Sequence, residues 1–217
     1  MLFATGRKHG QEALRAAVKS GKLEGLDGFV ERFGWKEAIH LLRISIFKGD
    51  VVVKSHRGPS FWIRQLIRLG LAKVTFIYRD PRDVMLSARD HARRTADSDF
   101  PQFQQYLDFE AGIKHLKMII KRAIWWIKLD RALNLEYVKL LADPVTQLKK
   151  VNEYFGWNLQ EEDLEKIVQN ESKGRSSGKS NFNQGKISRY QEEMTPDQVA
   201  HFNEIFAPEL ELMGFPQ

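Results

Sequence analysis

The chain contains no cysteine, which excludes disulfides, thiolate metal sites and cysteine nucleophiles. Its longest apolar stretches are broken by charge well before the roughly 18 residues that a membrane-spanning helix needs. The N-terminus has no signal-peptide hydrophobic region, so the expected compartment is the cytoplasm. The histidines His9, His40, His56, His91, His115 and His201 are scattered without metal-ligand spacing, and no H-E-x-x-H occurs, so no metal site is expected. No G-x-S-x-G elbow is present, which leaves serine-hydrolase chemistry without support. Gly174 to Ser180 reads Gly-Arg-Ser-Ser-Gly-Lys-Ser. Only three residues separate its glycines where the phosphate loop of nucleotide hydrolases needs four, and no hydrophobic strand runs into it.

What is present is an ordinary globular composition. With 217 residues, 42% hydrophobic, 29% charged and 11% aromatic, the chain is long enough for one domain with a real core and too apolar for disorder. A net charge of +6 suits an anionic ligand without demanding nucleic acid. Val51–Val53 and Val74–Tyr78 read as strands buried on both faces. After the second, Asp80 can cap a helix, Pro81 suits its first position, and Asp83 favours the positive end of its dipole. The same grammar recurs at Asp143-Pro144, followed by Leu148, Val151 and Phe155 on one face, with Gly156 placed to terminate. Thr195-Pro196-Asp197-Gln198 is a capping box, after which Val199, Phe202 and Phe206 repeat at helical spacing. Ile113, Leu116, Ile120, Ala123 and Ile127 mark a longer helix on which Trp125-Trp126 reads as core packing, and Ile39, Leu42 and Ile46 mark another. Strand-like runs alternating with helices imply an α/β fold with a largely parallel sheet. From Asn170 to Arg189 there are three glycines, five serines and five Lys/Arg with Glu171 as the single acid, so 170–190 is read as a flexible basic loop. Phe182 alone does not make it a nucleic-acid site.

Open α/β sheets place ligands at the carboxyl ends of their strands, which directs attention to Lys54-Ser55-His56-Arg57-Gly58-Pro59 and to Arg79 through Ser87. Arg79 offers a planar fork of donors for a phosphate, and Ser87 stands on the following helix. The alternative is that Arg79 pairs with Asp83 and Ser87 is a helix-surface residue.

Tyr78-Arg79-Asp80-Pro81-Arg82-Asp83-Val84, with Ser87 eight positions after Arg79, closely resembles the 3′-phosphate-binding motif of the sulfotransferases that use 3′-phosphoadenosine 5′-phosphosulfate (PAPS). Lys54-Ser55-His56 resembles that family's Lys-Thr-His segment, which implies His56 as catalytic base and Lys54 near the transferring sulfuryl group. Glu136-Tyr137 through Asp143-Pro144 is similar to the segment whose tyrosine contacts adenine, which implies that role for Tyr137. Phe182 through Tyr190 is similar to the late Arg-Lys-Gly loop that closes on the 3′-phosphate, which implies Asn183, Gln184 and Gly185 as donor contacts. Asn183 and Gln184 stand where the loop usually carries Arg-Lys, and Val138-Lys139 replace the usual Glu-Asp.

The resemblance implies a three-layer, P-loop-like α/β fold in a single domain over residues 1–217. It implies PAPS as donor co-substrate with no metal, a small-molecule or glycan acceptor, and no nucleic-acid partner. Acceptor specificity is expected near Phe61-Trp62 and the loop from Asp97 to Gln105. The family's strand and 5′-phosphosulfate loop are not among these residues. The expectation that follows is an N-terminally truncated product with Met1 an internal methionine, marginally stable and weakly active. The alternative is a non-catalytic module that holds a nucleotide or a partner protein.

Overall fold

In the computed structural model, Asp80-Pro81, Asp143-Pro144 and Thr195-Pro196 each open a helix, as their capping chemistry dictates. The structure describes residues 12–17, 25–26, 29–30, 33–94, 101–176 and 186–215. Contacts gather the chain into two compact units, Met1–Val74 with Leu129–Ala132, and Thr75–Lys128 with Leu133–Gln217.

In the first unit, α1 (12–17) precedes a short antiparallel hairpin of β1 (Gly25–Leu26) and β2 (Phe29–Val30), with Gly25 opposite Val30. Then come α2 (Trp35–Lys48) and α3 (Phe61–Arg68), the latter capped by the Ser60 hydroxyl accepting from the Ile63 amide at 3.3 Å. Leu14 and Ala17 of α1 meet Leu41 and Ile44 of α2. The buried face of α2 is therefore Ala38, Leu41 and Ile44, and not the Ile39, Leu42, Ile46 stripe: Ile39 is 48% exposed and Ile46 73%. The helix carries two apolar stripes at helical spacing, and its contact with α1 selects between them. Val51–Val53 is not a strand either. It is an extended stretch in which Val51 and Val53 pack on this core while Val52 is exposed. Among the described residues its ladder is limited to an isolated bridge at Lys54.

The second unit is built on β3 (Val74–Tyr78) and β4 (Ala132–Glu136), parallel neighbours joined through α4 (Pro81–Arg94), a 3₁₀ helix (Pro101–Leu107) and α5 (Phe109–Ile127). The parallel pairing agrees with the sequence, although the sheet is small: β4 is the one partner of β3 among the described residues. Nor is β3 buried on both faces. Phe76 and Tyr78 are half-buried and in ring contact with Trp126 and Phe215, while Thr75 and Ile77 face out. Trp126 is thus a packing residue, but Trp125 is half exposed beside Lys121. Where α5 crosses α4, a Cβ at Gly112 would sit 2.9 Å from Met85 Cε and 3.3 Å from the Tyr106 ring, so a larger residue there requires the Met85 side chain to move.

After β4 come α6 (Tyr137–Ala142), α7 (Pro144–Phe155), α8 (Glu161–Ser176), α9 (Tyr190–Glu193) and α10 (Pro196–Met213). Asp143 caps α7 by accepting from the Thr146 amide at 3.0 Å, and Gly156 ends it at φ 70° in the left-handed region. The Thr195 hydroxyl and Gln198 side chain close the capping box of α10, whose Phe202, Phe206 and Leu210 fill the core with Met85, Leu86 and Leu116. The start of the stretch read as a flexible basic loop is helical, because α8 runs on to Ser176. Acids in its first turn and bases near its end both favour a helix dipole, so the basic composition there has a helical explanation.

Candidate functional site

Arg79 directly follows β3 and Tyr137 directly follows β4, so parallel pairing delivers both side chains to the carboxyl end of the sheet. The Arg79 guanidinium lies over the Tyr137 ring, 4.9 Å from its centroid. Nε and Nη2 donate to Asp83 Oδ2 at 3.3 and 2.8 Å, and Nη2 also donates to the Lys186 carbonyl at 2.6 Å. Nη1 has no hydrogen-bond partner among the described residues. The pairing of Arg79 with Asp83, open as an alternative at the level of sequence, is real. It takes the Nε/Nη2 edge of the fork, and the Lys186 carbonyl takes the second hydrogen of Nη2.

Asp83, in the first turn of α4, is 1% exposed. Its carboxylate also accepts from the backbone amides of Ser188 at 3.0 Å and Tyr190 at 3.2 Å. Beside it, Arg82 is fully buried, bonded to both oxygens of Asp80 and to Asn203 Oδ1, with its guanidinium 3.8 Å from the centroid of the Tyr190 ring. Two turns further along, Arg189 donates to Asp90 at 2.6 Å and to Glu193 at 2.7 Å, while Arg89 reaches Glu193 at 2.8 Å. The hydrogen bond with Glu193, reinforced by Asp90, raises the Arg189 pKa against the opposing effect of burial. The same hydrogen bond with Arg189 lowers Glu193 below the usual glutamate range. From Asp83 to Asp90, α4 is therefore a clamp on residues 186–193.

Ser87 stands one turn beyond Asp83 on α4 and is half-buried. Asn183, Gln184 and Gly185 lie outside the described residues, three positions or fewer before Lys186. Lys54 and His56 belong to the first unit, where Lys54 forms the isolated bridge and the Ser55 hydroxyl accepts from the Arg57 amide at 3.2 Å. Desolvation, with a smaller contribution from Lys54, lowers the His56 pKa from its ordinary value of 6.5, although much of the residue is exposed. The structure thus brings Arg79 and Tyr137 into contact and puts Ser87 on the adjoining helix. Sequence reasoning missed the convergence of Asp83, Ser188 and Tyr190. The one local signal was the i,i+4 spacing of Arg79 and Asp83.

Among the described residues, no helix is long and apolar enough to cross a membrane. A comparison with curated proteins finds no match. Among solved structures, the chain is similar to mouse sulfotransferase SULT7A1 complexed with PAP, at 18% identity and a TM-score of 0.62, covering 94% of this chain and 81% of that one. It is also similar to retinol dehydratase in complex with androsterone and the inactive cofactor PAP, at 16% identity and a TM-score of 0.57, covering 93% and 77%. These likenesses give the fold, the P-loop-like α/β fold of the sulfotransferases. The family model described as the sulfotransferase domain matches residues 36–214, a stretch that takes in the Lys54–His56 segment, Arg79, Tyr137 and the clamped segment after Gly185, and the chain belongs to that family.

Proposed function

We propose that the chain binds PAPS, or the 3′,5′-ADP left after transfer, and moves the sulfuryl group to a hydroxyl or amine of a small-molecule or glycan acceptor. The observation that carries this reading is the stacking of Arg79 on Tyr137 beside the Lys186 carbonyl. It gathers three of the segments that resemble the donor site at one end of the sheet. Nη1 of Arg79 suits a phosphate, and an aromatic face suits adenine. Ser87 adds a hydroxyl from α4, and Asn183, Gln184 and Gly185 complete the 3′-phosphate contacts.

In-line transfer between two oxygens asks mainly for positioning and charge stabilisation. His56, held neutral near pH 7 by its lowered pKa, takes the acceptor proton, and Lys54 stabilises charge on the bridging oxygen.

Calorimetry tests the nucleotide reading. 3′,5′-ADP is expected to bind more tightly than 5′-AMP. Arg79→Ala removes a charged hydrogen bond of about 1.5–3 kcal/mol, so it should weaken 3′,5′-ADP roughly tenfold or more. Equal affinity for the two nucleotides in the wild type overturns the reading.

A further inference from the structure

Asp83 accepts four hydrogen bonds within this site. Its Oδ2 accepts from Arg79 Nε, Arg79 Nη2 and the Ser188 amide, and its Oδ1 accepts from the Tyr190 amide. A carboxylate offers about four acceptor positions, so this one is filled. All four bonds are made in a place that is 1% exposed, where a lost partner is not replaced by water. Arg79 cannot swing without releasing two of them, and residues 188–190 cannot shift without releasing the others. Ser188 itself is held at φ 56°, a left-handed conformation that a serine does not adopt without being over-determined by its surroundings.

We infer that Asp83 is a positioning residue that couples binding of a phosphate at Arg79 to ordering of the segment that leaves the Gly185 loop. This rests on the proposed donor reading and extends it. Through Asp83, the orientation of the Arg79 fork and the path of residues 186–190 are one variable. A phosphate bound at Nη1 of Arg79, which has no partner among the described residues, steadies the Lys186 carbonyl and the two amides, and the segment in turn steadies the arginine.

A carboxylate so near a phosphate also repels it. If repulsion outweighed positioning, removing the charge would strengthen anion binding, so the two effects differ in sign. Asp83→Asn nearly keeps the shape but leaves a single oxygen to accept what two accepted, so at least one set of bonds must be lost. The expected result is at least a tenfold loss of 3′,5′-ADP affinity with 5′-AMP affinity unchanged, so that the preference for the 3′-phosphate collapses. Asp80→Asn is the control for merely removing a buried carboxylate, since its partner is Arg82: stability falls and the preference stays. Unchanged or tighter 3′,5′-ADP binding by Asp83→Asn, or an equal loss for both nucleotides, overturns the inference.

The wild type supplies a test that does not depend on the variant folding. Hydrogen exchange at the Ser188 and Tyr190 amides should slow more with saturating 3′,5′-ADP than with saturating 5′-AMP. Equal protection overturns the coupling. A wild type with no preference between the nucleotides instead removes the donor reading beneath it.

Discussion

Replacing Arg82 with alanine removes the most deeply buried charge in the second unit. Its guanidinium binds both Asp80 oxygens at 2.6–3.2 Å and Asn203 at 3.1 Å, and it covers the Tyr190 ring at 3.8 Å. Alanine leaves Asp80, itself 7% exposed, as a buried carboxylate with the backbone amide of residue 82 as its remaining partner. Removing one member of a buried pair costs about 3–5 kcal/mol. The ring contact contributes within that figure, because the same truncation removes it. Against a total stability on the order of 5–15 kcal/mol this is a large fraction. At roughly 2–4 °C per kcal/mol for a chain of this size, it corresponds to a fall in Tm of about 6–20 °C. Thermal and urea unfolding followed by circular dichroism give the number directly. Arg82→Lys keeps the charge but loses the planar fork and the stacking, so it should recover less than half of the loss. A fall under about 1 kcal/mol for Arg82→Ala would refute the reading of this pair as buried from solvent, since a solvent-screened pair contributes that little.

The Glu193 pKa is lowered in the folded state, so its bond to Arg189 stabilises above the ordinary value of 4.5 and is lost as pH falls through the folded value. Wild type and Glu193→Gln should therefore differ in urea midpoint near neutrality and draw together as pH falls below 4.5; a gap that does not shrink on acidification contradicts the assignment. His56 titrates below 6.5, so the acid limb of kcat/KM for sulfuryl transfer should lie below that pH. His56→Ala should lower turnover by about 10²–10⁴ with little change in 3′,5′-ADP affinity, and retention of most activity would return His56 to a structural role.

The parts of this fold that were legible in the sequence are those whose physics is local. The caps at Asp143 and Thr195 and the stop at Gly156 are decided by partners three or four residues away, and all three form as read. The strand Val74–Tyr78 also forms, but its exposure depends on what packs over each face, which no short run of residues encodes. The facing of α2 was misread because Ile39-Leu42-Ile46 and Ala38-Leu41-Ile44 both satisfy helical spacing and only the position of α1 distinguishes them. At the site, Arg79 and Tyr137 were visible through the resemblance of their segments. The bonds that converge on Asp83 were not, because its amide partners lie 105 and 107 residues away.

That separation bears on how the protein is made. A ribosome adds roughly 5–20 residues per second, so several seconds pass between the emergence of Asp83 and that of Tyr190, and more before Asn203 reaches Arg82. Throughout that interval the Asp80–Arg82 pair can form within the nascent chain, but Asp83 has only Arg79 to answer it. Water must solvate the rest. The α4 helix therefore waits, wet on its charged side, until the last quarter of the chain arrives to seal it, and a synthesis that stops short of Tyr190 leaves that end of the helix open.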